Sequence, residues 1–144
     1  ITSSEMTRFN IDIDHGVSIV IDSIENSFGG EIFVPKIPSY KILDLAEAIA
    51  PSCKHEIVGI RPGEKIHEEM ITKHDSYSTI DLGTKYAILP FDGNLTNKYK
   101  EMGINFNNVE SGFSYNSGTN PDFLNVEELR KLIKNYCNQD FKPI

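Results

Sequence analysis

Helix-like and strand-like segments alternate over the first sixty residues, and this alternation restricts the fold more than any other feature of the sequence. Between residues 12 and 27 apolar side chains recur at helical spacing, and the pair Gly29-Gly30 ends the pattern. The short apolar run at 31–36 reads as a strand that ends at Pro35. Helices and strands that alternate in this way pack as layers, so the sequence predicts an α/β fold.

The alternation continues with a second helix-like and a second strand-like segment. Apolar residues at helical spacing predict a helix over KILDLAEAIA (41–50), with Ser39 as its N-cap and Pro51 just beyond its end. The run EIVGI (56–60) is then predicted to be a short strand. This strand would deliver the chain into the sequence RPGEK, which follows it directly.

The second half of the chain lacks this regular alternation and is predicted to end in a helix. Residues 91–124 are rich in Asn, Gly and aromatic residues without a clear period, which predicts a long irregular stretch. The sequence NVEELRKLIKNYC (125–137) predicts a helix, because Asn125 can act as N-cap and Glu128 stands at the capping-box position.

Composition and charge exclude several classes of function. The 144 residues are enough for one domain with a real core. The net charge of −7 argues against a nucleic-acid partner, and no apolar run approaches the ~20 residues of a membrane-spanning helix. Cys53 and Cys137 lie far apart, so we expect neither a disulfide framework nor a zinc cluster, and a reducing cytoplasm is the expected compartment.

The sequence RPGEK (61–65) is the main candidate for a binding site. Arg61 would lie at the end of a strand, and its planar guanidinium suits two-point contact with phosphate oxygens. Pro62 and Gly63 fit a tight turn into a helix, where a carboxylate at Glu64 would be favoured by the helix dipole. An arginine for phosphate and a glutamate for a pair of sugar hydroxyls form a reasonable site for a nucleotide sugar.

A plainer alternative is that Arg61 and Glu64 pair with each other at a helix start. No complete catalytic constellation is evident: His67-Glu68 fails the zinc-protease pattern HExxH because Ile71 stands at the second histidine position. The sequence also lacks a Gly-rich dinucleotide fingerprint, a P-loop and a Tyr-x-x-x-Lys pair. We therefore predict no catalytic residue and no metal ligand in this chain, which alone is expected to be inactive.

Four segments together carry a resemblance to a known family: MTRFNI (6–11), GGEIFVPKIPSYKILDLAEAIAP (29–51), RPGEKIHEEM (61–70) and GFSYNSGTNPDFLNVEELRKLI (112–133). With them the chain resembles the C-terminal part of inverting UDP-N-acetylglucosamine 4,6-dehydratases. These enzymes belong to the extended short-chain dehydrogenase/reductase superfamily and act in the pseudaminic acid pathway.

The resemblance implies a fold, and it implies that substrate binding and catalysis lie in different halves of the parent enzyme. The fold would be the last parallel Rossmann strand and helix plus a mixed α/β substrate-binding subdomain, with residues 1–144 as a single substrate-binding region. The NADP-binding Rossmann half, which carries the catalytic Asp, Lys and Tyr, would be absent from this chain. In the parent enzyme NADP would take a hydride from sugar C4, water would be lost across C5 and C6, and the hydride would return to C6.

The resemblance also implies substrate contacts and partners. By position, Thr2, Arg61 and Glu64 would contact the nucleotide end of a UDP-sugar. Arg8 would be a further contact, although an arginine there could equally hold the interdomain fold together. The expected partners are the UDP-sugar, the missing Rossmann half and, in the full enzyme, further copies of the same protein. The cofactor, NADP, would not be bound by this chain alone.

Two other functions stay open from the sequence. The chain could be a free-standing module that binds nucleotide sugars without turning them over, or an oligomerisation piece that uses residues 91–124. An orphaned substrate half should expose apolar surface, and its strand at 31–36 should have an unpaired edge. Because the chain begins at Ile1 rather than at a methionine, we expect a piece of a longer protein.

Overall fold

The computed structural model describes residues 1–91 and 94–144. The strands are β1 (Thr7–Phe9), β2 (Ile32–Pro35), β3 (Ser39–Lys41), β4 (Glu69–Ile71), β5 (Thr79–Asp81), β6 (Lys85–Ile88), β7 (Asn107–Asn108) and β8 (Tyr115–Asn116). The helices are α1 (Ile13–Asn26), α2 (Ile42–Ile49), α3 (Asn94–Glu101) and α4 (Val126–Leu132), with a 3₁₀ helix at Asp75–Ser78 and a π-helical turn at Ile133–Cys137.

The chain divides into two compact units, each assembled from separate stretches of sequence. Unit 1 consists of Ile1–Asp12, Ile37–Glu68 and Asn116–Ile144. Unit 2 consists of Ile13–Lys36 and Glu69–Tyr115. Strands β4 and β8 form a two-stranded sheet of their own.

Unit 2 is built on a four-stranded sheet in the order β2-β6-β5-β7. The pairs β2–β6, β5–β6 and β5–β7 are antiparallel, and the register places Ile80 opposite Ala87. One face of this sheet carries the core of the unit, to which α3 adds Leu95 and Tyr99. The ring of Tyr99 meets that of Phe28 edge to face, with centroids 4.9 Å apart.

Unit 1 combines a two-stranded sheet with a pair of helices. Strands β1 and β3 are antiparallel, and α2 packs on α4 around the buried side chains of Ala48 and Leu129. The side-chain amide of Asn120 donates to the carbonyl of Ile37 and to the hydroxyl of Ser39, each at 2.9 Å. These bonds satisfy polar groups that burial would otherwise penalise.

Helix α1 confirms the predicted helix at 12–27, but its apolar face lies open to solvent. Ile13 is 77% exposed and Ile24 is 75% exposed, and the apolar residues between them on that face are at least half exposed. Strand β2, which confirms the predicted strand at 31–36, is the end strand of its sheet, so its outer edge is unpaired within residues 1–91 and 94–144. Both features agree with the apolar surface and free edge expected from the sequence.

Two sequence predictions in unit 1 are wrong. Ser39 is not the N-cap of α2, because Lys41 occupies that position and Ser39 is a buried residue of β3. Residues 56–60 do not form a strand. Their backbone meets Ile1 through two hydrogen bonds of 2.8 Å, and Gly59 has a φ of +91°, which an extended strand does not accommodate.

The predicted parallel Rossmann strand is also wrong for the part of the chain that the structure describes, whose topology shows none. The fold is nevertheless a mixture of helices and strands, as the alternating pattern predicts. The predicted irregular stretch at 91–124 contains a complete helix, α3, and two short strands. The C-terminal helix is confirmed, and Asn125 and Glu128 form the predicted capping box.

Candidate functional site

The sequence Arg61–Glu64 forms a tight turn. The amide of Glu64 donates to the carbonyl of Arg61 at 3.1 Å, and Gly63 has a φ of +80°. Proline in the second position and a glycine with positive φ in the third are the pattern of a type II turn. The predicted start of a helix at this point is therefore wrong, and neither a strand end nor a helix dipole contributes to the site.

The carboxylate of Glu64 is held in place by both of its oxygens. Its Oε2 accepts a hydrogen bond from the backbone amide of Arg61 at 3.2 Å, and its Oε1 accepts one from the hydroxyl of Thr2 at 3.3 Å. Thr2 is brought here because the carbonyl of Ile1 accepts a hydrogen bond from the amide of Val58. Each carboxylate oxygen keeps a free lone pair with which it can accept a ligand hydroxyl.

The guanidinium of Arg61 is available for a ligand. Arg61 is exposed, and among the described residues no carboxylate pairs with its side chain. The structure does not show the alternative ion pair between the side chains of Arg61 and Glu64. The carboxylate of Glu64 instead accepts a hydrogen bond from the backbone amide of Arg61. The turn leaves five N–H donors next to an ordered carboxylate.

Arg8 is placed on the other side of the same segment and is engaged with the protein itself. Its guanidinium donates to the carbonyls of Thr7 at 2.6 Å, Ile66 at 3.1 Å and Lys65 at 3.0 Å. Its Nε lies 3.4 Å from a carboxylate oxygen of Glu68. These contacts occupy most of its donors and fasten the residues after the turn to β1 within unit 1. The predicted substrate contact of Arg8 and its alternative role between domains both stay predictions.

A chain of polar side chains behind this segment was missed by the sequence reasoning. The hydroxyl of Thr7 lies 2.8 Å from Nδ1 of His67 and 2.7 Å from the hydroxyl of Ser117. The amide of Glu68 donates to the hydroxyl of Ser117 at 2.9 Å. The sequence predicted a helix after the turn, but His67 does not lie in a helix. It belongs to a hydrogen-bonded group that fixes residues 67 and 68.

Gly118 completes this group by leaving room for the imidazole ring. A Cβ atom at residue 118 would lie 2.6 Å from Nδ1 of His67 and less than 3 Å from two further ring atoms. Thr7, His67 and Gly118 are far apart in sequence and carry no shared motif. The sequence offered no signal by which this group could have been found.

The predicted site residues thus converge on one segment of unit 1. Thr2, Arg61 and Glu64 contact or adjoin one another, and Arg8 holds the residues that follow. Tyr115 is buried, and its ring packs against that of Tyr86 with centroids 5.3 Å apart.

Metal-binding capacity, free thiols and helix length are further properties of the described residues. Within residues 1–91 and 94–144, no three metal-ligating side chains lie close enough together to hold an ion. Cys53 and Cys137 are exposed free thiols. None of the described helices is long and apolar enough to span a membrane.

Sequence comparison decides the family. Residues 1–90, which include Thr2, Arg8, Arg61 and Glu64, match a family described as polysaccharide biosynthesis protein. The chain belongs to this family. It is also a partial homologue of UDP-N-acetylglucosamine 4,6-dehydratase (inverting) from Campylobacter jejuni subsp. jejuni serotype O:2, with 44% identity over 137 residues.

The chain spans less than half the length of the relatives that it matches. The alignment with the Campylobacter dehydratase covers 92% of this chain and 41% of the relative. A UDP-glucose 4-epimerase from Rickettsia canadensis is 33% identical over 148 residues, covering 99% of this chain and 43% of the relative.

The fold agrees with a solved structure of similar sequence. The X-ray structure of Pen from Bacillus thuringiensis superimposes with a TM-score of 0.73 at 28% identity, covering 94% of this chain and 40% of that chain. All of these similarities therefore concern one part of a longer type of protein.

Proposed function

We propose that this chain is the UDP-sugar-binding portion of a nucleotide-sugar 4,6-dehydratase of the inverting type, which makes a UDP-4-keto-6-deoxy-hexosamine for bacterial surface glycans or flagellin. The observation that carries the proposal is the ordered turn at Arg61–Glu64. It presents an unpaired guanidinium beside a fixed carboxylate within a segment 44% identical to such a dehydratase.

The two side chains of the turn serve different parts of the ligand. The guanidinium of Arg61 matches the oxygens of a diphosphate, because its donors form a planar fork and, in the part of the chain that the structure describes, no carboxylate forms an ion pair with it. The carboxylate of Glu64 accepts from ribose hydroxyls, while its bonds to Thr2 and to the amide of Arg61 keep it oriented. A site of this kind favours a nucleoside diphosphate over a nucleoside.

Catalysis belongs to the part of the parent protein that this chain does not span. In our proposal that part binds NADP and supplies the Asp, Lys and Tyr that move protons and the hydride. This chain contributes binding and orientation, with Arg8 and the group of Thr7, His67 and Ser117 keeping the segment that follows the turn in place. The chain alone is inactive.

The test of the binding site is to titrate the chain with UDP and, separately, with uridine, and to measure binding by calorimetry or NMR. The wild type should bind UDP more tightly than uridine. Arg61→Ala should weaken UDP binding about 10- to 100-fold, as expected for loss of charge-assisted hydrogen bonds, and should abolish the preference for UDP over uridine. In the full-length enzyme the same change should raise KM with little effect on kcat.

A matched control is Lys65→Ala. Lys65 is an exposed cation on the same segment, and its known contact uses only its main-chain carbonyl, which the substitution keeps. It should bind UDP like the wild type apart from a small effect of the lost charge. If Arg61→Ala and Lys65→Ala weaken binding equally, or if Arg61→Ala has no effect, the proposed site is wrong.

The reaction is tested in the full-length protein from the producing cells. An antibody against the α4 peptide should detect a band well over twice the 16.2 kDa of this chain. That protein, given UDP-N-acetylglucosamine, should produce a sugar with a new methyl group, since loss of water leaves a double bond between C5 and C6, and return of the hydride to C6 with a proton to C5 turns C6 into a methyl carbon. A product epimerised at C4 without a methyl group would favour the epimerase relatives, and a band at the size of this chain would favour a binding module.

A further inference from the structure

Unit 2 contains a cavity of about 220 Å³ that none of the predicted contacts uses. It lies among the 3₁₀ helix, the beginning of β5, the residues after β6, helix α3 and strand β7. Its floor includes Ile80 and Leu89, which belong to the buried core. The cavity is therefore attached to the most rigid part of the unit.

Two aromatic rings at this cavity are exposed to an unusual degree. Tyr77 is 78% exposed and Phe91 is fully exposed, and both line the cavity. In contrast, Tyr86, Tyr99 and Tyr115 each pack against another ring within the unit. Aromatic side chains left open beside a cavity are typical of a surface on which a flat ligand face is stacked.

Polar groups with unused hydrogen-bonding capacity line the same cavity. In the described part of the chain, the hydroxyl of Thr96 and the side-chain amide of Asn108 have no hydrogen-bond partner. The hydroxyls of Ser78 and Thr79 donate to the carbonyl of Asp75, at 3.2 and 2.7 Å, so their oxygens are left to accept. The cavity thus offers both donors and acceptors.

The nine lining residues that the structure describes carry no formal charge: they include no Asp, Glu, Lys, Arg or His, although 24% of the residues of the whole chain are Asp, Glu, Lys or Arg. Among these nine residues a phosphate or carboxylate would find no countercharge, and a cation would find no carboxylate. The ligand that fits is therefore neutral and carries hydroxyl groups.

We propose that this cavity binds the ring of a neutral sugar. The C–H face of a pyranose would stack on Tyr77 and Phe91, while its hydroxyls would bond Thr96 and Asn108. A volume of about 220 Å³ suits a single sugar ring, being below the ~300–1,000 Å³ of sites for larger ligands. The inference does not depend on the proposed UDP-sugar site, because a nucleotide sugar would require a cation that this lining does not have.

The test is a ¹H–¹⁵N NMR titration of the 144-residue chain with glucose, N-acetylglucosamine and N-acetylglucosamine 1-phosphate. At least one of the neutral sugars should shift the amide signals of residues 77–80, 96 and 108, with a Kd on the order of 1–10 mM, as expected for so small a ligand. The phosphorylated sugar should bind no more tightly than its neutral counterpart. Stronger binding of the phosphorylated sugar at these residues would contradict the uncharged site.

Tyr77→Ala should weaken the sugar affinity about tenfold, whereas Tyr77→Phe should keep most of it, since the ring face is retained. Tyr136→Ala is the matched control, because Tyr136 is also an exposed aromatic residue, 53% exposed, but does not line the cavity. Tyr77 is so exposed that its truncation should leave the spectrum of the fold intact. The proposal is overturned if no amide of the cavity shifts up to about 50 mM sugar, which is roughly five- to fiftyfold above the expected Kd, or if Tyr77→Ala and Tyr136→Ala have equal effects.

Discussion

Replacing Gly118 by alanine should destabilise the protein through a collision with a single side chain. The added Cβ atom would stand 2.6 Å from Nδ1, 2.7 Å from Cγ and 2.8 Å from Cε1 of His67. The imidazole cannot turn away without cost, because the hydroxyl of Thr7 lies at hydrogen-bond distance, 2.8 Å, from Nδ1. The substitution must therefore displace the ring or the backbone of residue 118.

The magnitude follows from three contributions. Overpacking of this kind costs about 1–3 kcal/mol, and loss of the Thr7–His67 bond costs about 0.5–1.5 kcal/mol. Alanine also restricts the unfolded chain more than glycine does, which stabilises the folded protein by about 0.4–1 kcal/mol and offsets part of this cost. Together these contributions lower the free energy of unfolding by about 0.5–4 kcal/mol, with a central value of about 2 kcal/mol.

Urea denaturation of four proteins measures this effect: the wild type, Gly118→Ala, His67→Ala and the double variant. Without the imidazole the added methyl group meets no ring, so Gly118→Ala should be neutral or stabilising by up to about 1 kcal/mol in the His67→Ala background. The collision then appears as a coupling energy of about 2 kcal/mol. An equal cost of Gly118→Ala in both backgrounds would refute the steric explanation.

Asn125→Ala removes the hydrogen bonds that the Asn125 side chain accepts from the amides of Glu127 and Glu128, keeps the bond from its own backbone amide to Glu128, and should lower the free energy of unfolding by about 1 kcal/mol in urea titrations, with Asn125→Ser restoring most of it; unchanged stability would show that α4 does not depend on this side-chain cap. Burial, with the nearby charge of Glu31, raises the pKa of Tyr99 from 10.0 to about 12. A raised pKa means that the folded state favours the neutral phenol, so this stabilisation is complete below pH 10 and declines between pH 10 and 12. Tyr99→Phe should therefore lose less stability than the wild type over this interval, and parallel pH profiles would contradict the shift.

The elements that the sequence predicted are those whose signals are local. Helix α4 begins at Asn125 because the capping side chains lie three residues apart. Helix α1 follows from its apolar spacing, and β2 from a short apolar run before a proline. None of these predictions required knowledge of a distant residue.

Other elements depend on partners that the sequence does not reveal. The sequence around Ser39 is typical of a helix N-cap, but Ser39 lies in β3, which pairs with the distant strand β1. Residues 56–60 look like a strand, but Ile1 alone pairs with their backbone among the described residues. Helix α3 is polar on average and shows its apolar side only as Leu95 and Tyr99, so its sequence resembles a loop.

The candidate site was predictable in its chemistry but not in its geometry. Arg61, Pro62, Gly63 and Glu64 are adjacent, and their residue types suggested a turn with an open cation and a fixed carboxylate. Whether a helix follows was decided by distant contacts, because Arg8 holds the carbonyls of the next residues away from helical bonding. Such long-range bonds leave no trace in local spacing.

The discontinuous make-up of unit 1 has a consequence for the way the chain is synthesised. The hydroxyls of Thr7 and Ser117 meet at 2.7 Å although 110 residues separate them. At a translation rate of about 5–20 residues per second, the ribosome adds Ser117 roughly 5–20 s after it adds Thr7. Throughout that interval Thr7 lacks the hydroxyl of Ser117, although β3, the strand that pairs with β1, is already synthesised. Unit 1 can therefore be completed only after every residue of unit 2 has been synthesised.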